Sequence, residues 1–150
     1  MFENYPYNIA VSHDCSLYIG VGNHLGSPTY YTIYVKLLNQ ADLLPSTNSA
    51  TPSSLPAIYE YKFFLANNEN QEAPLTFSIS EASTNGDQAT INQLVINNTP
   101  FNVNKLTIWN GDSTGFYCRL LCELWVYNAT IGSLQFHNRA VSLQLNLARQ

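Results

Sequence analysis

Charge is what this sequence has least of. Only 11% of its 150 residues are Asp, Glu, Lys or Arg, against about 25% in an ordinary soluble domain. The side chains that do most acid–base, metal and phosphate chemistry are therefore scarce, and Asn, Ser, Thr and Tyr take their place. Six basic residues leave a net charge of −4. That excludes the electrostatic footprint of a nucleic-acid binder and a polybasic patch for anionic lipid. No apolar run approaches the roughly 18 residues needed to cross a bilayer as a helix. Residues 1–6 are polar and lack the basic leader of a signal peptide. The expectation is a piece of a longer membrane or secreted chain, in contact with a membrane only through segments outside it, rather than a cytosolic protein.

Cysteine is also sparse. Cys15, Cys118 and Cys122 are an odd count, so at least one thiol is unpaired within a monomer. Cys118 and Cys122 on one strand share a face but stand about 13 Å apart, too far for a mutual disulfide. A bridge from Cys15 to Cys118 or Cys122 is one expectation; three small buried hydrophobes is the other. No CxxC spacing supports zinc, and no cofactor is implied. His13, His24 and His137 have no ligand spacing between them, so no metal site is expected. Asp14, Asp42, Asp87 and Asp112 fall in turns without a D-x-D-x-D run, and read as solvated acids rather than a calcium site. Ser12-His13-Asp14 is a local run, whereas triad members meet in space. There is no G-x-S-x-G elbow and no phosphate-binding glycine loop. Catalytic residues are not expected.

What is present is alternation with a period of two. Residues 16–21, 30–37, 57–65, 75–79, 91–96, 99–103, 115–128 and 140–147 read as strands, with 135–137 as a short ninth and 106–109 leading into the turn at 110–112. They are separated by turn signals that include Asn85-Gly86 and the tight hairpin at Asn97-Asn98. Along residues 115–128, Phe116, Cys118, Leu120, Cys122, Leu124 and Val126 share one face. Tyr117, Arg119, Leu121, Glu123, Trp125 and Tyr127 share the other, where Arg119 and Glu123 can bracket Leu121 and Trp125. The pair Leu120-Leu121 marks a stretch buried on both sides. Residues 39–56, rich in Ser, Thr, Asn and Pro, read as a long connection: an arm over the surface, or a tie between two sheets. Eight or nine strands without an amphipathic helix predict one all-β domain over residues 1–150. Its expected form is an antiparallel two-sheet sandwich of immunoglobulin or fibronectin type, with a jelly roll as the alternative.

Residues 18–26 (YIGVGNHLG) followed by residues 30–35 (YYTIYV) resemble the "VxVxNHEG…YxVxV" hairpin of an archaeal membrane-protein family, the domain-of-unknown-function family numbered 1616. Residues 72–77, 123–128, 136–139 and 143–145 are similar to later strands of that family. Leu25 stands where the family has an acidic residue. The resemblance implies an extracytoplasmic β-sandwich carried behind membrane helices on an archaeal cell surface. It brings no established activity and no catalytic residues.

Two sequons, at Asn97 and Asn128, are glycosylation candidates if the chain is exported. Tyr30, Tyr31, Tyr34, Tyr59, Tyr61, Trp125 and Tyr127 can form an outward aromatic face for a protein or a carbohydrate. The functional expectation is a non-enzymatic interaction or structural domain that binds a protein partner or itself by a strand edge or a sheet face, with residues 39–56 as a contact element. A carbohydrate-binding module is the alternative.

Overall fold

A computed structural model describes residues 8–46, 48–111 and 114–149. Nine strands run through them, and no helix: β1 (Asn8–Ile9), β2 (Cys15–Gly22), β3 (Thr29–Leu38), β4 (Tyr59–Leu65), β5 (Asn70–Asn85), β6 (Gln88–Ile96), β7 (Thr99–Asn110), β8 (Gly115–Asn128) and β9 (Ser133–Leu147). The all-β expectation holds, because alternating β-branched and aromatic residues suit a half-buried pleated surface better than a helix.

The strands form two layers. One has the order β4-β3-β8-β9-β1, the other β2-β5-β6-β7. They are not the separate sheets of the expected sandwich. β7 pairs with β6 along Thr99–Ile108, then crosses, and Trp109 and Asn110 pair with Phe116 and Gly115 of β8. The parallel β1–β9 pair makes the sheet mixed. The result is a nearly closed, barrel-like sheet.

The crossing is held by the Trp109–Phe116 edge-to-face pair, 5.2 Å between centroids, and by Arg149 stacked 4.7 Å over Trp109. Gly115 is needed here. A Cβ on it would stand 2.7 Å from Cβ of Asn146 and 3.2 Å from the Leu147 carbonyl oxygen.

Several boundaries differ from the sequence reading. Residues 99–103 and 106–109 are one strand, and residues 135–137 and 140–147 are one strand bent by a bulge opposite Leu124 and Trp125. The Asn97-Asn98 hairpin is as expected: both residues sit at positive φ, 48° and 67°, as a type I′ turn requires.

One core fills the space between the layers. Ile33, Val35, Phe77, Ile91, Leu94, Leu120 and Leu145 are among its buried members. All three cysteines are buried and free. The Cys15 bridge to Cys118 or Cys122 is not formed. Cys15 enters the core from the β2 layer and the other two from the β8 layer; a bridge between layers needs two cysteines directly opposed across the core, and all three thiols here are free.

Candidate functional site

The two ends of the sheet path do not join. Among the described residues, β2 pairs only with β5, and the outer edge of β9 is covered only where β1 meets Asn146 and Leu147. Between them lies a cleft of about 780 Å³, within the size range of small-ligand pockets. Tyr18, Gly20 and Gly22 form one rim, Arg139 and Val141 the other, and Ile33, Cys122 and Leu124 lie at the floor.

The loop after β2 closes one end of the cleft, and Asn23 fixes it. This fully buried amide donates to the carbonyl oxygens of Ser27 (2.8 Å) and Leu65 (2.9 Å), and accepts from the Leu25 N–H and the Tyr31 hydroxyl. His24, in the same loop, is exposed and makes a 3.4 Å contact with Asn68.

At the other rim the β9 bulge places His137 against Tyr31, edge to face at 6.1 Å. Burial, and secondarily Arg139, hold the imidazole below its ordinary value. Burial also raises the Tyr31 phenol. At the floor, burial pushes the Cys122 thiol up to about 12. The cleft thus gathers one guanidinium and two imidazoles, with no carboxylate among the residues that line it. Such a lining favours an anionic or hydrogen-bonding guest over a metal ion, and no His/Cys/Asp/Glu group suited to a metal occurs among the described residues.

The expected aromatic face divides in two. Tyr30, Tyr34, Trp125 and Tyr127 lie on the outer side of the β3–β8 layer, where Phe64, unremarked in the sequence, joins them at 70% exposure. Tyr59 and Tyr61 do not belong to this face. Strand alternation turns them inward, where Tyr61 stacks on Phe63 and Tyr59 packs on Phe101. Tyr31 also points inward and is buried. On the outer face Tyr34 and Trp125 meet at 78° rather than in a common plane.

Beside that face lies the connection between β3 and β4. Because these strands are hydrogen-bonded neighbours, it leaves and rejoins one layer as an arm, while its first residues also tie to the other: Asn39 donates to the Leu106 carbonyl oxygen and Asp42 pairs with Lys105, both on β7. The arm is pinned by a buried ion pair. Lys36 Nζ lies 2.7 Å from Glu123 Oε1, with side chains 5% and 0% exposed. Lys36 also donates to the Ser53 carbonyl oxygen (2.8 Å), and the Ser53 N–H donates to Glu123 Oε2 (2.7 Å). Leu38 and Leu121 are buried on the same outer side. Glu123 is therefore not part of a network with Arg119, which turns instead to the Tyr117 hydroxyl and Ser142 Oγ. Lys36 and Ser53 were missed because their partner lies 70 or more residues away. A lysine on a strand reading as apolar was the available signal.

The two sequons also differ. Asn97 is half-buried and fully engaged: Oδ1 accepts from the Thr76 N–H and Nδ2 donates to the Tyr61 hydroxyl, both at 2.9 Å. Asn128 makes exposed bonds to Gln135 and Thr130 in the β8–β9 turn. His13 and Asp14 are exposed. Asp42 pairs with Lys105 at 2.6 Å and Asp87 lies 3.9 Å from Arg149, so these two acids have cationic neighbours. Asp112 lies outside the described residues.

No family model matches this chain, and no curated protein is significantly similar to it.

Proposed function

We propose that this chain is a structural or protein-interaction domain that carries out no chemistry of its own, exposed on an archaeal cell surface as part of a longer membrane-anchored protein. The observation that carries the reading is the outward face of Tyr30, Tyr34, Phe64, Trp125 and Tyr127. Phe64 and Tyr127 are 70% and 45% exposed, and adjoining exposed aromatics are characteristic of contact surfaces. The resemblance of residues 18–26 and 30–35 to the archaeal family numbered 1616 supports the location, although β2 and β3 do not pair as a hairpin here: β2 pairs with β5, and β3 with β4 and β8. The scarcity of charge supports the absence of catalysis. The two layers are a variant of the immunoglobulin-like sandwich in which β7 passes from one to the other.

A carbohydrate module is less favoured, because Tyr34 and Trp125 present an edge and a face rather than coplanar rings for a sugar. The test is fractionation of archaeal cells expressing the parent protein, with Phe64→Ser and Tyr127→Ser. The unaltered protein should co-purify with an envelope partner, and both variants should fold and insert yet lose it. Retention of that partner by both variants overturns the sheet-face reading.

A further inference from the structure

We propose that the open edge of β2 pairs antiparallel with β2 of a second copy of this chain, about a two-fold axis at Ile19. Among the described residues nothing covers this edge, and its own sequence does not guard it. Natural sheets blunt exposed edges with charge, proline or a bulge. The other layer follows that rule: β4 has Glu60 and Lys62, and β9 has Arg139 and a bulge. β2 has eight residues, CSLYIGVG, without charge or proline, in unbroken register with β5.

Its free backbone groups can be assigned. The Asn23 N–H donates to the Glu69 carbonyl oxygen on the β5 side. Strand alternation then turns residues 15, 17, 19 and 21 toward β5 and residues 16, 18, 20 and 22 toward the opening. An antiparallel copy centred on Ile19 places Ser16 opposite Gly22, Tyr18 opposite Gly20, and the reciprocal pairs. All four free positions are used. Moving the register by two residues in either direction leaves only three of the four paired among themselves.

Side chains fit the same register. Tyr18 is 68% exposed, and opposite it stands a glycine that nothing in the monomer requires. Gly20 is not at positive φ, and a Cβ on it would meet only ordinary contact, 3.6 Å from Cγ of Glu72. Each tyrosine thus covers the glycine of the other copy, the cross-strand aromatic–glycine pairing that protects an exposed backbone. Just beyond the strand ends the register sets Asp14 opposite His24 of the second copy, an acid facing a base twice. The interface is isologous, as a two-fold dimer demands, and adds strand to strand.

This inference rests on the reading of the chain as an interaction domain, but the two are tested separately, since Phe64 and Tyr127 lie on the other layer. The experiment is sedimentation equilibrium on the whole chain. The unaltered protein should be dimeric, and so should Phe64→Ser. Tyr18→Lys and Gly20→Lys, each checked for the native circular dichroism spectrum, should raise the dissociation constant at least about tenfold, equivalent to about 1.4 kcal/mol. The double variant Tyr18→Cys/Gly20→Cys should cross-link to a reducible dimer, because hydrogen-bonded antiparallel pairs hold Cα atoms about 5.5 Å apart, within disulfide range. An unaltered protein that stays monomeric, a dimer indifferent to both lysines, or a double variant that does not cross-link each overturns the proposal.

Discussion

Replacing Lys36 with methionine should be among the most damaging single changes outside the core. The substitution keeps the side chain's length and apolar stem but removes the cation. Glu123, fully buried on β8, then retains only the Ser53 N–H at 2.7 Å and a 3.4 Å contact from the Trp125 indole. A buried carboxylate stripped of its cation costs about 3–5 kcal/mol. That is a large share of the ~5–15 kcal/mol that holds a domain together. Lys36 also loses its bond to the Ser53 carbonyl oxygen, so the arm loses one of the two clamps that fix it at that residue. Urea unfolding followed by tryptophan fluorescence should show the midpoint fall at unchanged slope, and the melting temperature should drop by roughly 6–20 °C. The double variant Lys36→Met/Glu123→Leu removes both charges and should be more stable than Lys36→Met, because the uncompensated carboxylate is gone. A Lys36→Met protein within about 1 kcal/mol of the original, on a scale where breaking a buried pair costs ~3–5 kcal/mol, would refute the reasoning. So would a double variant less stable than the single.

Three further outcomes follow from the geometry. Burial works against the Asp42 carboxylate, but the Lys105 and Asn39 hydrogen bonds outweigh it and hold the carboxyl below its ordinary value. Its contribution, about 1 kcal/mol or less for a partly exposed pair, is present above the unfolded value near pH 4. It is lost as pH falls through the lower folded value, so Asp42→Asn should flatten that part of the pH–stability curve. Burial raises the Cys118 and Cys122 thiols to about 12 and also raises Cys15. All three should resist a thiol reagent at neutral pH until urea unfolds the chain, and rapid labelling of the native protein would contradict the burial. Asn97→Ala forfeits two hydrogen bonds at a residue with φ of 48°. It should cost about 2 kcal/mol in a denaturant melt. Because the Asn97 amide nitrogen is held on the part-buried Tyr61 hydroxyl while the Asn128 bonds lie exposed in the β8–β9 turn, mass spectrometry of protein from a glycosylating host should find the glycan on Asn128 rather than Asn97.

The sequence by itself determined the strands and their faces. Phe116, Cys118, Leu120 and Cys122 alternate with Tyr117, Arg119, Leu121 and Glu123, and a pleated strand must send such sets to opposite sides whatever it packs against. The Asn97-Asn98 turn was equally legible, because its backbone conformation is a local preference of asparagine. Only the tertiary structure decided which strand lies beside which. It carried β7 from one layer to the other, and it left β2 and β9 facing each other across a cleft. It also turned Tyr59 and Tyr61 inward while Tyr34 and Trp125 stayed outside. That choice depends on which face of each strand meets the core, and an aromatic residue with a hydroxyl suits either side. Likewise, nothing near Lys36 in the chain announces Glu123 or Ser53. A buried ion pair is a contract between distant segments, made when β3 and β8 become neighbours and an arm folds over both.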